Sequence, residues 1–370
     1  MAFGNTPIAF DCQAIQSDIN KYFSQNVIAY KRTKQNSFIR FLRSPMNRQG
    51  VTQIQDDATN VYGQKLKVRM RTRDPLCLQL VKQAWTCDQA VTLKNVAPKE
   101  HLFDLDDTPY TLKDPTDVTS KPLVFKWNFN EYKRLCINQP EFFQETIALG
   151  LVQLEQLVNK DLMTAVAAKL GKQQLADGTA VTAKALPLFL ASTTSAVPVQ
   201  NPFVNAKIQE AYNLSRTSGK YALFGGSRFW NYAQATNVAA ASDWGYDMSK
   251  SNGQYDFMWD LDFDSVFGVG SMVTIPYGAV QLVQWNQNVG DGAIDYPHSK
   301  KLTLTTPNGL RVDMFWEHFT GNQCNEIRVG LSTYAELAVV PSGGCGVDND
   351  VNGLFKFTDC SLTTDIACPA

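Results

Sequence analysis

Between Asn138 and Gly171 the sequence carries one uninterrupted helical pattern, and no other segment rivals its length. Asn138 suits an N-cap, Glu141 three residues on completes a capping box, and Pro140 falls in the first turn, where its missing N–H costs nothing. Apolar residues recur at Phe143, Ile147, Leu151, Leu154, Val158, Leu162 and Ala165, close to the helical period. Glu141 and Glu145 sit at the positive end, Lys169 and Lys172 at the negative end, and Gly171 offers a C′ stop. Roughly thirty residues at about 1.5 Å each make a rod on the order of 45 Å long. Glu145, Gln153, Glu155, Gln156, Asn159, Lys160 and Asp161 interrupt the run, which excludes a membrane span. The repeat runs nearer 3.67 than 3.5 residues, which argues against a coiled coil. A scaffold element and a core helix of a globular enzyme both remain open.

At 370 residues the chain is long enough for two or three packed units. Its 44% hydrophobic and 19% charged content is that of a folded protein. Met1-Ala-Phe-Gly-Asn has neither the basic start nor the apolar run of a signal peptide, so synthesis in the cytosol is expected. Cys12, Cys77, Cys87 and Cys136 are scattered and read as buried thiols. Cys324, Cys345, Cys360 and Cys368 crowd toward the C-terminus without any C-x-x-C, which gives little support for zinc and leaves disulfides open.

Charge is segregated. Residues 31–73 hold eleven Lys or Arg and two acids, a net +9 in a chain whose total is −1. Within this segment Lys65, Lys67, Arg69, Arg71 and Arg73 alternate with Leu66, Val68, Met70 and Thr72, a period-two pattern that predicts a strand with one cationic face. Five like charges in a row repel, so an anion or water must face them. A solvated edge strand, an acidic surface on a neighbouring subunit, and nucleic-acid phosphate all satisfy that requirement. Base-specific reading is not expected, since no C₂H₂ spacing, helix-turn-helix or RNP-type aromatic motif is present. Asp256, Asp260, Asp262 and Asp264 form an acidic counterpart, and Asp104, Asp106, Asp107, Asp114 and Asp117 another. Copies that each carry both signs can associate with one another.

Residues 1–50 read as an arm with one short helix, Asp11 to Tyr22. Residues 51–135 read as extended, with a Pro- and Asp-rich connection from Pro98 to Pro122 and a strand at Leu123–Phe129. After the rod, Ala-Asp177-Gly178-Thr marks a hairpin turn, Asn205–Ser218 a helix, Tyr221–Phe224 a strand, and Ser227–Tyr232 a short helix. Strands are expected at Ser271–Ile275, Ala279–Trp285, Lys301–Thr305, Leu310–His318, Glu326–Leu331 and Leu337–Val340, with Pro307-Asn308-Gly309 as a hairpin turn. The last thirty residues, rich in Gly, Asp and Asn, read as a tail.

This order resembles that of tailed-bacteriophage major capsid proteins with the Hong Kong 97-type fold. Glu141–Leu170 is similar to that family's spine helix, and residues 51–135 to its arm and extended β-loop. Asn205–Ser218, Tyr221-Ala-Leu-Phe-Gly-Gly-Ser-Arg-Phe-Trp-Asn231 and Phe267-Gly-Val-Gly-Ser-Met-Val273 resemble its axial domain, and Gly309–Ser342 its closing strands. The resemblance implies an α+β fold divided into an N-terminal arm (1–50), extended-loop region (51–135), peripheral domain with the spine helix (136–202), axial-type domain (203–308), closing strands (309–340) and C-terminal tail (341–370). It further implies a structural subunit, not an enzyme, that self-assembles into an icosahedral shell enclosing double-stranded DNA. The expected partners are many copies of itself, scaffold, portal and decoration proteins, and packaged DNA contacted without sequence specificity. The expected location is the virion capsid, assembled in host cytoplasm, with no membrane. An encapsulin-like nanocompartment shell is the nearest alternative, and a cytosolic enzyme with an unrecognised site is the alternative of another class. No long charged N-terminal helix of the built-in-scaffold kind is present, and the segment after Pro341 lies outside the resemblance.

Enzyme motifs break down on inspection. Gly268-x-Gly270 has Val273 where a dinucleotide fingerprint needs glycine, and Gly219-Lys220 is followed by Tyr221 where a P-loop needs Ser or Thr. There is no G-x-S-x-G or H-E-x-x-H, and His101, His298 and His318 are scattered. Asp348, Asp350, Asn352, Gly353 and Asp359 match calcium-loop spacing at positions one, three, five, six and twelve, with Asp for the usual Glu and Lys356 at the ninth. An Asx-rich turn fits the same residues. Otherwise no cofactor is expected.

Overall fold

The computed structural model describes residues 36–48, 52–55, 67–72, 99–104, 108–114, 116, 123–128, 139–175, 178–190, 199–215, 220–235, 255–285, 300–321, 324–339 and 353–361. Helices α1 (Ser37–Arg43) and α2 (Pro45–Arg48) come first, followed by strands β1 (Thr52–Gln55), β2 (Lys67–Thr72) and β3 (Lys99–Asp104). Strands β4 (Tyr110–Thr111) and β5 (Val124–Asn128) precede the long helix α3 (Gln139–Ala167). Short strands β6 (Gln173–Gln174), β7 (Ala180–Val181), β8 (Ala183–Ala185), β9 (Phe189–Leu190) and β10 (Val199–Gln200) follow. Next come α4 (Val204–Leu214), β11 (Tyr221–Gly225), α5 (Ser227–Ala235), β12 (Tyr255–Trp259) and α6 (Phe263–Phe267). The order ends with β13 (Ser271–Pro276), β14 (Val280–Trp285), β15 (Lys300–Thr305), β16 (Arg311–Gly321), β17 (Cys324–Val339) and β18 (Phe355–Thr358). The fold is α+β and divides into two compact units.

The expected rod is α3, 29 residues long. Its Ile147, Leu151, Leu154, Val158 and Leu162 are buried as the periodicity predicts. Ala165 is exposed instead and Val166 is buried, because the buried stripe advances by four positions beyond Leu162. The helix stops at Ala167, short of Gly171. Lys169 N–H donates to Val166 O in a tightened last turn, and Gly171 N–H leaves the helix to donate to Leu354 O. The Asp11–Tyr22 helix and the Asn138 cap lie outside the described residues.

The first unit comprises the described residues of Met1–Arg43, Thr108–Leu162 and Leu282–Glu336. Its sheet runs β14-β17-β16-β15, and β4 and β5 also pair with β17. Two strands expected at Glu326–Leu331 and Leu337–Val340 are one 16-residue strand. The polar pair Ser332-Thr333 does not break it, because both residues pair with β4 and Thr333 Oγ1 donates to Arg311 O. The Pro307-Asn308-Gly309 turn forms as predicted between β15 and β16, with Gly309 at φ +87° and its N–H bonded to Thr306 O. On α3, a Cβ placed on Gly150 would stand 2.9 Å from Leu331 Cδ1 and 3.2 Å from the Phe125 ring. Glycine is what lets helix and sheet approach this closely.

The second unit comprises the described residues of Ser44–Asp107, Met163–Gln281 and Leu337–Ala370. Its largest sheet runs β12-β11-β13-β18-β8, parallel at β11–β12 and β18–β8 and antiparallel elsewhere. Leu188, Ile208, Tyr212, Tyr221, Phe229 and Phe357 are among its core side chains. Tyr212 stacks on Tyr221 with centroids 4.4 Å apart, and its hydroxyl donates to Gly353 O. The segment read as a tail therefore supplies an interior strand: Phe355 and Phe357, two residues apart, are both fully buried. The turn at Gly178 forms as expected, with Leu175 N–H bonded to Thr179 O.

A separate three-stranded sheet runs β1-β2-β3, antiparallel throughout. It corrects one expectation: the Pro98–Pro122 stretch is not all connection, because Lys99–Asp104 is a strand. Of the settings open to the basic strand, a solvated edge does not apply, since β2 is central.

Candidate functional site

Lys67, Arg69 and Arg71 occupy alternate positions of β2 and so share one face; Lys65 and Arg73 lie outside the described residues. The register places acidic residues at positions across from two of these cations. Lys67 lies opposite Asp104 and Arg71 opposite Glu100 on β3, while Thr52 flanks Arg71 on β1. Cross-strand pairs of opposite charge contribute about 0.2–1 kcal/mol each. Arg69 is placed differently, between Ile54 on one side and Leu102 on the other. This face thus has an apolar row with an arginine at its centre and charged rows on either side. Among the described residues, none of its strands pairs with a strand of another sheet.

The acidic counterpart is taken up by its own fold. Asp260, Asp262 and Asp264 do not continue a strand, since β12 ends at Trp259 and the three lie in a turn and in α6. Asp260 is 1% exposed and accepts from Asp262 N–H at 3.1 Å, so it is closed off from a second copy. Asp264 accepts from Ser227 N–H at 2.9 Å and from Ser227 Oγ at 2.5 Å, placing negative charge at the N-terminus of α5. A Cβ at Gly226 would fall 1.8 Å from Asp264 Oδ1. Gly226→Ala is therefore expected to displace the carboxylate and cost about 1–2 kcal/mol, the scale of a lost helix cap. An unchanged melting temperature would refute this. Asp256 pairs with Lys220 Nζ at 3.0 Å and accepts from the Tyr277 hydroxyl. Burial, reinforced by that carboxylate, holds the Tyr277 phenol protonated well beyond its ordinary range.

Asp348, Asp350 and Asn352 lie outside the described residues, so the calcium spacing is visible only at its end. There, positions eight to eleven are the paired strand β18, and Lys356 Nζ donates to Phe267 O at the end of α6. The Asp359 side chain is fully buried. Its Oδ1 accepts from Leu188 N–H at 3.0 Å, Ser361 N–H at 3.0 Å and Ser361 Oγ at 2.5 Å, and its Oδ2 faces Arg228 Nε at 3.3 Å. Arg228 also stacks 4.6 Å over the Phe189 ring. The carboxylate works as a structural tie, and the neighbouring Cys360 is disulfide-bonded. Among the described residues no group of three or more His, Cys, Asp or Glu side chains could hold a metal ion.

Two features escaped the sequence reading. Leu149 and Leu157 on α3 are 44% and 55% exposed, apolar residues facing water eight positions apart. Glu155, on the same helix, is completely buried. Its Oε1 accepts from Asn36 Nδ2 at 2.8 Å and Asn308 Nδ2 at 2.6 Å. One turn on, Asn159 Oδ1 accepts from Ile39 N–H at 3.1 Å.

No protein-family model matches the sequence, and no curated protein matches it. Solved structures do. The Cyanophage A-1(L) capsid asymmetric unit is 12% identical over 80% of this chain and 88% of its own, with a TM-score of 0.45. A structure from Mycobacterium phage Adephagia is 10% identical over 86% and 87%, with a TM-score of 0.41. The capsid of Ralstonia phage GP4 is 10% identical over 79% and 82%, with a TM-score of 0.38.

Proposed function

We propose that this chain is a shell subunit, the major capsid protein of a tailed phage. Many copies pack into an icosahedral container around double-stranded DNA, which they contact without reading bases. The observation that carries the reading is the β1-β2-β3 sheet. Three strands are at the lower limit of independent stability and call for a covering surface. The Ile54–Arg69–Leu102 row has the composition of an interface centre, and the flanking Lys67, Arg71, Glu100 and Asp104 that of a rim. A neighbouring copy is the natural cover. The 29-residue α3, whose own residues offer no reaction chemistry, fits a beam that stiffens each tile. Scaffold, portal and decoration proteins would be further partners in the host cytoplasm.

Replacing Lys67, Arg69 and Arg71 together with Gln is expected to abolish shell formation while leaving the subunit's circular dichroism unchanged. Arg69→Ala alone should account for most of the loss, because Lys67 and Arg71 have acids opposite them within the sheet. Sedimentation and electron microscopy read the outcome. Normal shells from the triple variant would exclude this sheet as a contact between copies, and a wild-type chain that never exceeds a small oligomer, with or without scaffold, would overturn the shell reading and favour an enzyme.

A further inference from the structure

Glu155 sits where three segments of the first unit converge: α3 itself, the Asn36 end of α1, and the turn between β15 and β16. The side-chain donors on its Oε1 are neutral amides, and Thr306 and the Asn308 backbone also favour its charged form. Among the described residues no ion pair reaches it. Charged side chains on the elements around it include Arg40 and Arg43 on α1, Arg311, Asp313 and Glu317 on β16, and Glu145, Lys160 and Asp161 on α3. None of them is among the groups that move its proton affinity. A carboxylate fully removed from water without a countercharge is costly, and the neutral acid costs far less.

We propose that Glu155 is a proton-operated latch: the neutral acid seats α1 and the β15–β16 turn on α3, and ionisation loosens them. The direction agrees with burial, which raises its pKa against the opposing hydrogen bonds. Because the seated state binds the proton more tightly than the free state, the added stability is complete below the ordinary glutamate pKa of about 4.3 and is lost as pH rises through the raised value. The latch is a property of the subunit and does not depend on the shell reading.

Hydrogen exchange of the full chain at pH 5 and pH 8, corrected for intrinsic rates, tests it. Amides of 37–43 should be more protected at pH 5, on the order of tenfold for each unit by which the seated state's pKa exceeds 5. Glu155→Gln keeps an acceptor for Asn36 and Asn308 but cannot ionise, so its protection should be high and equal at both values. Equal protection of the wild-type segment at the two pH values overturns the latch, as does a Glu155→Gln protein that keeps the wild-type difference. Should that variant not fold, the wild-type comparison decides alone. Shell formation is not read, so failure of the latch and failure of the capsid reading remain distinct.

Discussion

Asp359→Ala is expected to lower subunit stability by about 3–5 kcal/mol, the scale of breaking a buried ion pair from one side. The substitution strips the acceptor from Leu188 N–H and leaves Arg228 facing an empty site at the edge of the core. It also releases Ser361, which holds the chain immediately after β18. Asp359→Asn should lose less, since one oxygen can still accept from Leu188 while the charge opposite Arg228 is gone. Denaturant midpoints of the three proteins, at unchanged slope, give the comparison. The experiment also separates two roles. A carboxylate serving only a calcium loop would leave metal-free stability untouched on replacement, and only the gain on adding calcium would vanish.

Gly150→Leu is expected to cost about 3 kcal/mol or more, at the upper end of core overpacking. A Cβ here already meets Leu331 Cδ1 at 2.9 Å, and a full side chain must also displace the Phe125 ring. Gly150→Ala is the informative control. Alanine gains about 1 kcal/mol of helix propensity over glycine, and the nearest obstacle is the flexible tip of Leu331. Melting temperatures should therefore fall little or not at all for Ala and steeply for Leu. A graded decline with side-chain size from Gly through Ala would instead mean that backbone separation has no slack.

What was readable along the chain was what local physics determines. The α3 stripe follows from its period, the β15–β16 turn from Asn308-Gly309, and β11 with α5 from a short apolar run meeting a glycine pair. What stayed hidden depends on distant partners. Lys99-Glu-His-Leu-Phe-Asp looks like loop until its register against β2 is known, and only that register shows Glu100 and Asp104 opposite Arg71 and Lys67. Glu155 and Asn159 read only as polar breaks in an apolar run, because nothing local announces that Asn36, Ile39 and Asn308 will meet them. Phe355 and Phe357 did carry a strand signal, a two-residue alternation overshadowed by the Gly- and Asx-rich sequence before it. Even spacing at Asp260, Asp262 and Asp264 suggested one strand face, whereas the chain turns within the series and buries Asp260.

The interior place of β18 also sets a timetable. Lys356 pairs with Ala183, roughly 170 positions earlier, and β18 is what joins β8 to β13. At about 5–20 residues per second, a ribosome needs roughly 10–30 s to deliver the missing strand. Once β13 is made, roughly 80 residues and about 4–16 s still separate it from β18, and for that time β13 keeps an open edge. A chain interrupted before Phe355 lacks the strand that joins β8 to β13, so completion of this sheet waits for the last residues to be made.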